Sequence, residues 1–167
     1  MTIRPETPQD AEAVRRVNLE AFAGRPYSRQ TEHLIVEALR AGGALAVSLV
    51  AELDGSVVGH IAFSPAQIGG EPEGWYLLGP VAVLPGSQGR GIGRALVETG
   101  LEALRARAAA GCVLVGDPAF YRRFGFAQAP GVTWPGVPAE NLLCLRFAGP
   151  PPAGEVSYHP AFLVEHE

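Results

Sequence analysis

The chain has 167 residues, of which 47% are hydrophobic, and a formal net charge of −4. This length suits one domain with a buried core, and the charge excludes the broad basic footprint of a nucleic-acid binder. No apolar run reaches membrane-spanning length, and Met1-Thr2-Ile3-Arg4-Pro5-Glu6 lacks the apolar core of a signal peptide, so a cytoplasmic location is expected.

Thr2-Ile3-Arg4 reads as an edge strand. Thr7-Pro8-Gln9-Asp10 combines an N-cap, proline at N1 and an acidic N3, and so opens a helix carrying Val14, Val17 and Ala21 on one face. Gly24-Arg25-Pro26-Tyr27 breaks it. A second helix places Leu34, Ile35, Ala38 and Leu39 at helical spacing, and Arg40-Ala41-Gly42-Gly43 ends it. Ala44 to Leu53 and Ser56 to Pro65 read as strands joined by a hairpin turn at Asp54-Gly55. Ile68 to Gly74 reads as a polar loop, and Trp75 to Leu84 as a long strand. A helix from Arg94 to about Ala109 aligns Val97, Leu101, Leu104 and Ala108. Cys112 to Gly116 is a short buried strand. Asp117 as N-cap and Pro118 at N1 start a short helix. Asn141 to Phe147 and Glu155 to Tyr158 are the last strands. The order is β-α-α-β-β-β-α-β-α-β-β, with no repeat and no linker that divides it, so residues 1–167 are expected to form a single domain.

Cys112 and Cys144 lie in apolar runs and read as buried thiols. Distant histidines give no zinc pattern, and no metal is expected.

The most informative segment is Gln88-Gly89-Arg90-Gly91-Ile92-Gly93, between a strand and a helix. Such a turn directs unpaired backbone N–H groups at one point, and the helix N-terminus adds partial positive charge. That is an anion site, most naturally for phosphate or pyrophosphate. A P-loop needs a lysine after its glycines, and all 13 residues counted as Lys or Arg are arginine. A dinucleotide fingerprint needs G-x-G-x-x-G, which fails at Arg94 or at Leu96 depending on the starting glycine. A [Q/R]-x-x-G-x-[G/A] turn is filled by Gln88, Gly91 and Gly93 without a mismatch.

This turn resembles that of the GCN5-related N-acetyltransferase (GNAT) superfamily, where it binds the pyrophosphate of acetyl-coenzyme A. Phe120, Tyr121, Gly125 and Phe126 match a second signature of that family, F-Y-x-x-x-G-F. The two blocks cover about the middle third of the chain, and the wording around them is similar to a bacterial branch of N-acetyltransferases. The resemblance implies an α/β fold with a mixed, mostly antiparallel central sheet, flanking helices and splayed central strands. It also implies an acetyl-CoA-dependent N-acetyltransferase that acts on a primary amine, small or protein-borne, by direct attack in a ternary complex. A non-catalytic acyl-CoA sensor or partner-binding domain is the alternative. No membrane or nucleic-acid partner is expected, and a homodimer is left open.

Residue by residue, the resemblance assigns cofactor binding to Val81, Val83, Gln88, Gly89, Arg90, Gly91, Gly93 and Arg94. The Val81 N–H would face the acetyl carbonyl, and the Val83 backbone would pair with pantetheine. Tyr121 is the expected general acid, because a phenol with a pKa near 10 is protonated at neutral pH. Many relatives carry a glutamate base where this chain has Leu77. His60, on a strand expected beside the central one, is therefore the first candidate base. Glu32 and His33 follow, with Glu20 weaker, and a bound water or an amine arriving neutral remains open. The segment Phe22 to Arg29 and the Pro150 loop are expected to cap the acceptor side.

Overall fold

The structure, a computed structural model, describes residues 1–165, and residues 71–73 by backbone alone. Alternating apolar residues build an open sheet. β1 (Thr2–Pro5) pairs antiparallel with β2 (Val47–Leu53), β2 with β3 (Ser56–Ile68), and β3 with β4 (Glu71–Val83). β4 runs parallel to β5 (Gly111–Val115), which pairs antiparallel with β7 (Leu142–Arg146). β8 (Gly154–Tyr158) joins the far end of β3, and β6 (Val132–Thr133) pairs parallel with β8. The architecture is the mixed, mostly antiparallel sheet that the family resemblance implies, with the two-residue β6 added.

The period-2 alternation of the strands decides which helix covers which face. Leu49, Ala51, Ile61 and Phe63 pack with Leu96, Val97, Leu101 and Leu104 of α3 (Ile92–Ala106). Val50 and Ala82, on the other face, pack with Val14, Val17 and Ala21 of α1 (Ala11–Phe22) and Val36 of α2 (Glu32–Ala41). α1 is preceded by a 3-10 turn at Pro8–Asp10. The Thr7 N–H and hydroxyl donate to the Asp10 carboxylate at 2.7 and 3.0 Å. Arg4 donates to the same carboxylate at 2.7 and 2.9 Å, tying β1 to the start of α1. These bonds hold the Asp10 carboxyl well below the usual carboxylate range, Arg4 contributing most.

One expected element is corrected. Residues 68–74 form no polar loop; β3 continues to Ile68 and β4 starts at Glu71, with Ile68 paired to Glu71. Gly69 and Gly70 form the two-residue turn, both at φ +70°, a backbone that glycine adopts readily and that matches strand twist. β2 also starts at Val47 rather than Ala44, and α3 ends at Ala106.

β4 and β5 pair only from Trp75–Gly111 to Leu77–Val113. β4 then continues to Val83 along β3, passing a bulge where its register against Ile61–Phe63 shifts. The two central strands therefore part beyond Leu77, and the gap opens toward the start of α3 and α4 (Pro118–Tyr121).

Candidate active site

The glycine turn sits at the end of β4. A 3-10 turn over Pro85–Ser87 leads into it, and Gln88 donates from Nε2 to the Val83 carbonyl at 3.1 Å. Gly89 and Gly91 have φ of +80° and +76°, and Gly91 is the N-cap of α3. A Cβ at either position would meet nothing within 4 Å. Conformation therefore requires glycine there, and the space in front of the backbone is open. The Ala95 N–H already turns back to the Gly91 carbonyl at 3.0 Å. The N–H groups of Ile92, Gly93 and Arg94 lie ahead of the first helical bond and point out of the helix end. Arg90 is exposed, and Arg94 donates from Nε to Glu98 at 2.8 Å.

Val81 pairs with Ile61 and Val83 with Gly59, and both valines pack against the α3-side core. Tyr121 comes to the same side from α4. Asp117 caps this helix by accepting from the Ala119 N–H at 2.9 Å. The Tyr121 ring lies edge-on to Phe120 and Phe126, with centroids 4.9 and 5.9 Å away. A Cβ on Gly116 would stand 2.6 Å from its Cε2, so the bare end of β5 lets the ring lie across it. Burial pushes the phenol up to about 12, and Cys112, Asp117 and Tyr27 push it the same way.

His60 is placed elsewhere. It is fully buried, pairs with Val50 and Ala82, and shares their face of the sheet, under α1. Its Nδ1 is 3.2 Å from Asn18 Nδ2, and its Nε2 is 2.9 Å from Ser48 Oγ. Asn18 Nδ2 also donates to the Val14 carbonyl at 3.0 Å. Nδ1 is thus the acceptor, and Nε2–H donates to Ser48. Burial, aided by the Arg40 charge, lowers the His60 pKa to about 3. The structure does not bring His60 together with Val81 and Tyr121. Strand alternation put it on one face but could not say which, and that face is the α1 side.

Glu32 is the first residue of α2, and both its carboxylate oxygens accept from the Ser28 hydroxyl, at 2.8 and 2.7 Å. His33 is buried beside it. Of the expected capping segment, Tyr27 is 75% exposed and Arg29 pairs with Glu165 at 3.6 Å. Cys112 and Cys144 are buried free thiols, and burial raises the pKa of both. Among the described residues no cluster of His, Cys, Asp or Glu could hold a metal ion, and no helix is long and apolar enough to cross a membrane.

A family model described as an acetyltransferase (GNAT) domain matches residues 45–128, which span the gap, the glycine turn and α4. The chain belongs to the GNAT acetyltransferase family. It is 39% identical over 141 residues to the uncharacterized N-acetyltransferase YhbS of Escherichia coli K12, covering 81% of each chain. It is 34% identical over 143 residues to the uncharacterized N-acetyltransferase YjhQ of the same strain, covering 81% of this chain and 76% of that one. Among solved structures, a GNAT family acetyltransferase from Brucella melitensis in complex with acetyl-CoA superposes with a TM-score of 0.86. It is 52% identical, with 96% of this chain and 97% of that chain covered. Escherichia coli YhbS in complex with CoA gives a TM-score of 0.88 at 35% identity, covering 98% and 92%.

In this GNAT protein, sequence reasoning missed the polar set Asn18, Ser48 and Ser64. Isolated hydroxyls and amides in apolar runs carry no pattern, and only the strand register shows what they face.

Proposed function

We propose that this GNAT protein transfers acetyl from acetyl-CoA to a primary amine by direct attack, with both substrates bound together. The observation that carries this reading is the open glycine turn at the head of α3, beside strands that part. Its backbone fits a diphosphate: N–H groups converge at a helix N-terminus, and no Cβ blocks approach. The relatives crystallised with acetyl-CoA and CoA support the same ligand.

In this reading the N–H groups of Gly89, Gly91, Gly93 and Arg94 hold the diphosphate. Gln88 braces the turn through the Val83 carbonyl. Arg90 and Arg94 add positive charge, with Arg94 exchanging Glu98 for phosphate. The Val81 N–H takes the thioester carbonyl, and the Val83 backbone takes the pantetheine amide. Acetyl-CoA supplies the activated acyl group and a thiolate leaving group. Tyr121 donates a proton at the departing sulfur, and its raised pKa keeps it protonated until that charge develops.

His60 takes no part in proton removal, since its ring is saturated with partners on the α1 side. Glu32, His33 and Glu20 remain as side-chain candidates, and Glu32 could act only by releasing or sharing the Ser28 hydroxyl. Otherwise water takes the amine's proton. A mass-detected assay of acetyl-CoA with a panel of amines tests the reading. The expected outcome is at least one acetylated amine, with free coenzyme A released in equal amount. Tight acetyl-CoA binding without transfer to any amine would instead favour the sensor.

A further inference from the structure

The other face of the sheet carries a group that the proposed mechanism has not used. Ser64 is fully buried, and its Oγ has no hydrogen-bond partner among the described residues. A buried hydroxyl that no protein group satisfies calls for a water or a ligand as its partner. Ala62 and Ala66 flank Ser64 on the same face of β3, and Leu77 lies opposite on β4. Leu77 is also the last β4 residue paired with β5. Ser64 is thus one strand from the point where the central strands part. On its other edge β3 pairs with β2 as far as Phe63 and with β8 only from Ala66. Ser64 lies in the break between these two partners. The second orphaned buried atom among the described residues, Asn18 Oδ1, belongs to the same face, where α1 covers His60.

Tyr121 reaches the gap from the α3 side, within the core formed by α3 and β5. That leaves the opposite face of the sheet for an attacking amine. We propose that Ser64 is a positioning residue of the acceptor subsite, its Oγ anchoring the water that receives the amine's proton. The inference rests on the acetyltransferase reading above. The amine arrives neutral, having lost its first proton in solution. Its nitrogen lone pair forms the C–N bond, and the C–S bond breaks. The nitrogen gives one proton to the anchored water and thence to solvent. Sulfur takes the proton of Tyr121, which solvent replaces. The subsite therefore takes the free base of a primary amine.

Ser64→Ala tests this through three readouts. The melting temperature should stay level, because no protein group loses a hydrogen-bond partner. Acetyl-CoA affinity should be unchanged. kcat/KM for the best acceptor among phenethylamine, spermidine and a peptide with a free α-amine should fall about tenfold, with the loss in kcat. Unchanged kcat/KM would overturn the proposal. So would a fall in melting temperature that accompanies the loss of activity, since the hydroxyl would then have a structural partner. If the unsubstituted protein binds acetyl-CoA yet acetylates none of the three probes, the acetyltransferase reading fails first and this proposal with it.

Discussion

His60 and Tyr121 are both buried titratable residues, and burial drives their pKa values apart, to about 3 and about 12. Each stays neutral across physiological pH. For His60 the unfolded imidazole, near 6.5, binds a proton that the folded one refuses. Its contribution to stability is therefore complete above about pH 6.5 and is lost as pH falls toward the folded value. Denaturant titrations between pH 7 and pH 4 should show this loss, and His60→Gln should flatten it. An equally steep loss in the variant would assign the effect to other groups. Because this ring is already neutral, the acidic limb of kcat/KM should follow the acceptor amine's own ionisation and survive the same substitution. Tyr121→Phe belongs to the chemistry instead. It should lower kcat by roughly 10²–10⁴-fold while barely changing acetyl-CoA affinity. Wild-type turnover, measured where chemistry limits the rate, would remove Tyr121 from the mechanism.

At the scale of elements, α3 is fixed at both ends of its job. Its first turn faces the gap, and its flank seats on β3. A Cβ on Gly100 would clash with Cε1 of the fully buried Phe63. Gly100→Val should therefore cost about 1–3 kcal/mol by overpacking, read as a lower denaturation midpoint. An unchanged midpoint would mean that helix and strand can separate freely here. Local signals made most elements legible in the sequence: Asp117 and Pro118 start α4, and Asp54-Gly55 turns β2 into β3. The hairpin at Gly69-Gly70 was hidden because polar Gln67, Glu71 and Glu73 made residues 68–74 read as a loop. Backbone pairing overrode that composition, and a two-glycine turn between strand-compatible residues was the available clue.

Across the whole molecule, the gap between β4 and β5 organises the two faces. The glycine turn, Val81, Val83 and Tyr121 belong to the α3 side, while His60, Ser64 and Leu77 belong to the opposite face. The turn was legible because it is contiguous in sequence and its glycines follow a fixed spacing. The side of His60 was not, because facing depends on register and on which helix packs where, both set by distant residues. The polar set Asn18, Ser48 and Ser64 was hidden for the same reason, being scattered over α1, β2 and β3. The central claim is that the backbone at the head of α3 holds the diphosphate of acetyl-CoA. Calorimetric titration of acetyl-CoA into the wild-type protein and Gly91→Val tests it most directly. Valine at φ +76° is strained by about 1–2 kcal/mol, and its side chain projects into the open approach. The account predicts saturable binding to the wild type and affinity at least about tenfold weaker in a variant that remains folded. Equal affinity in the two proteins, or no binding to the wild type, would contradict it.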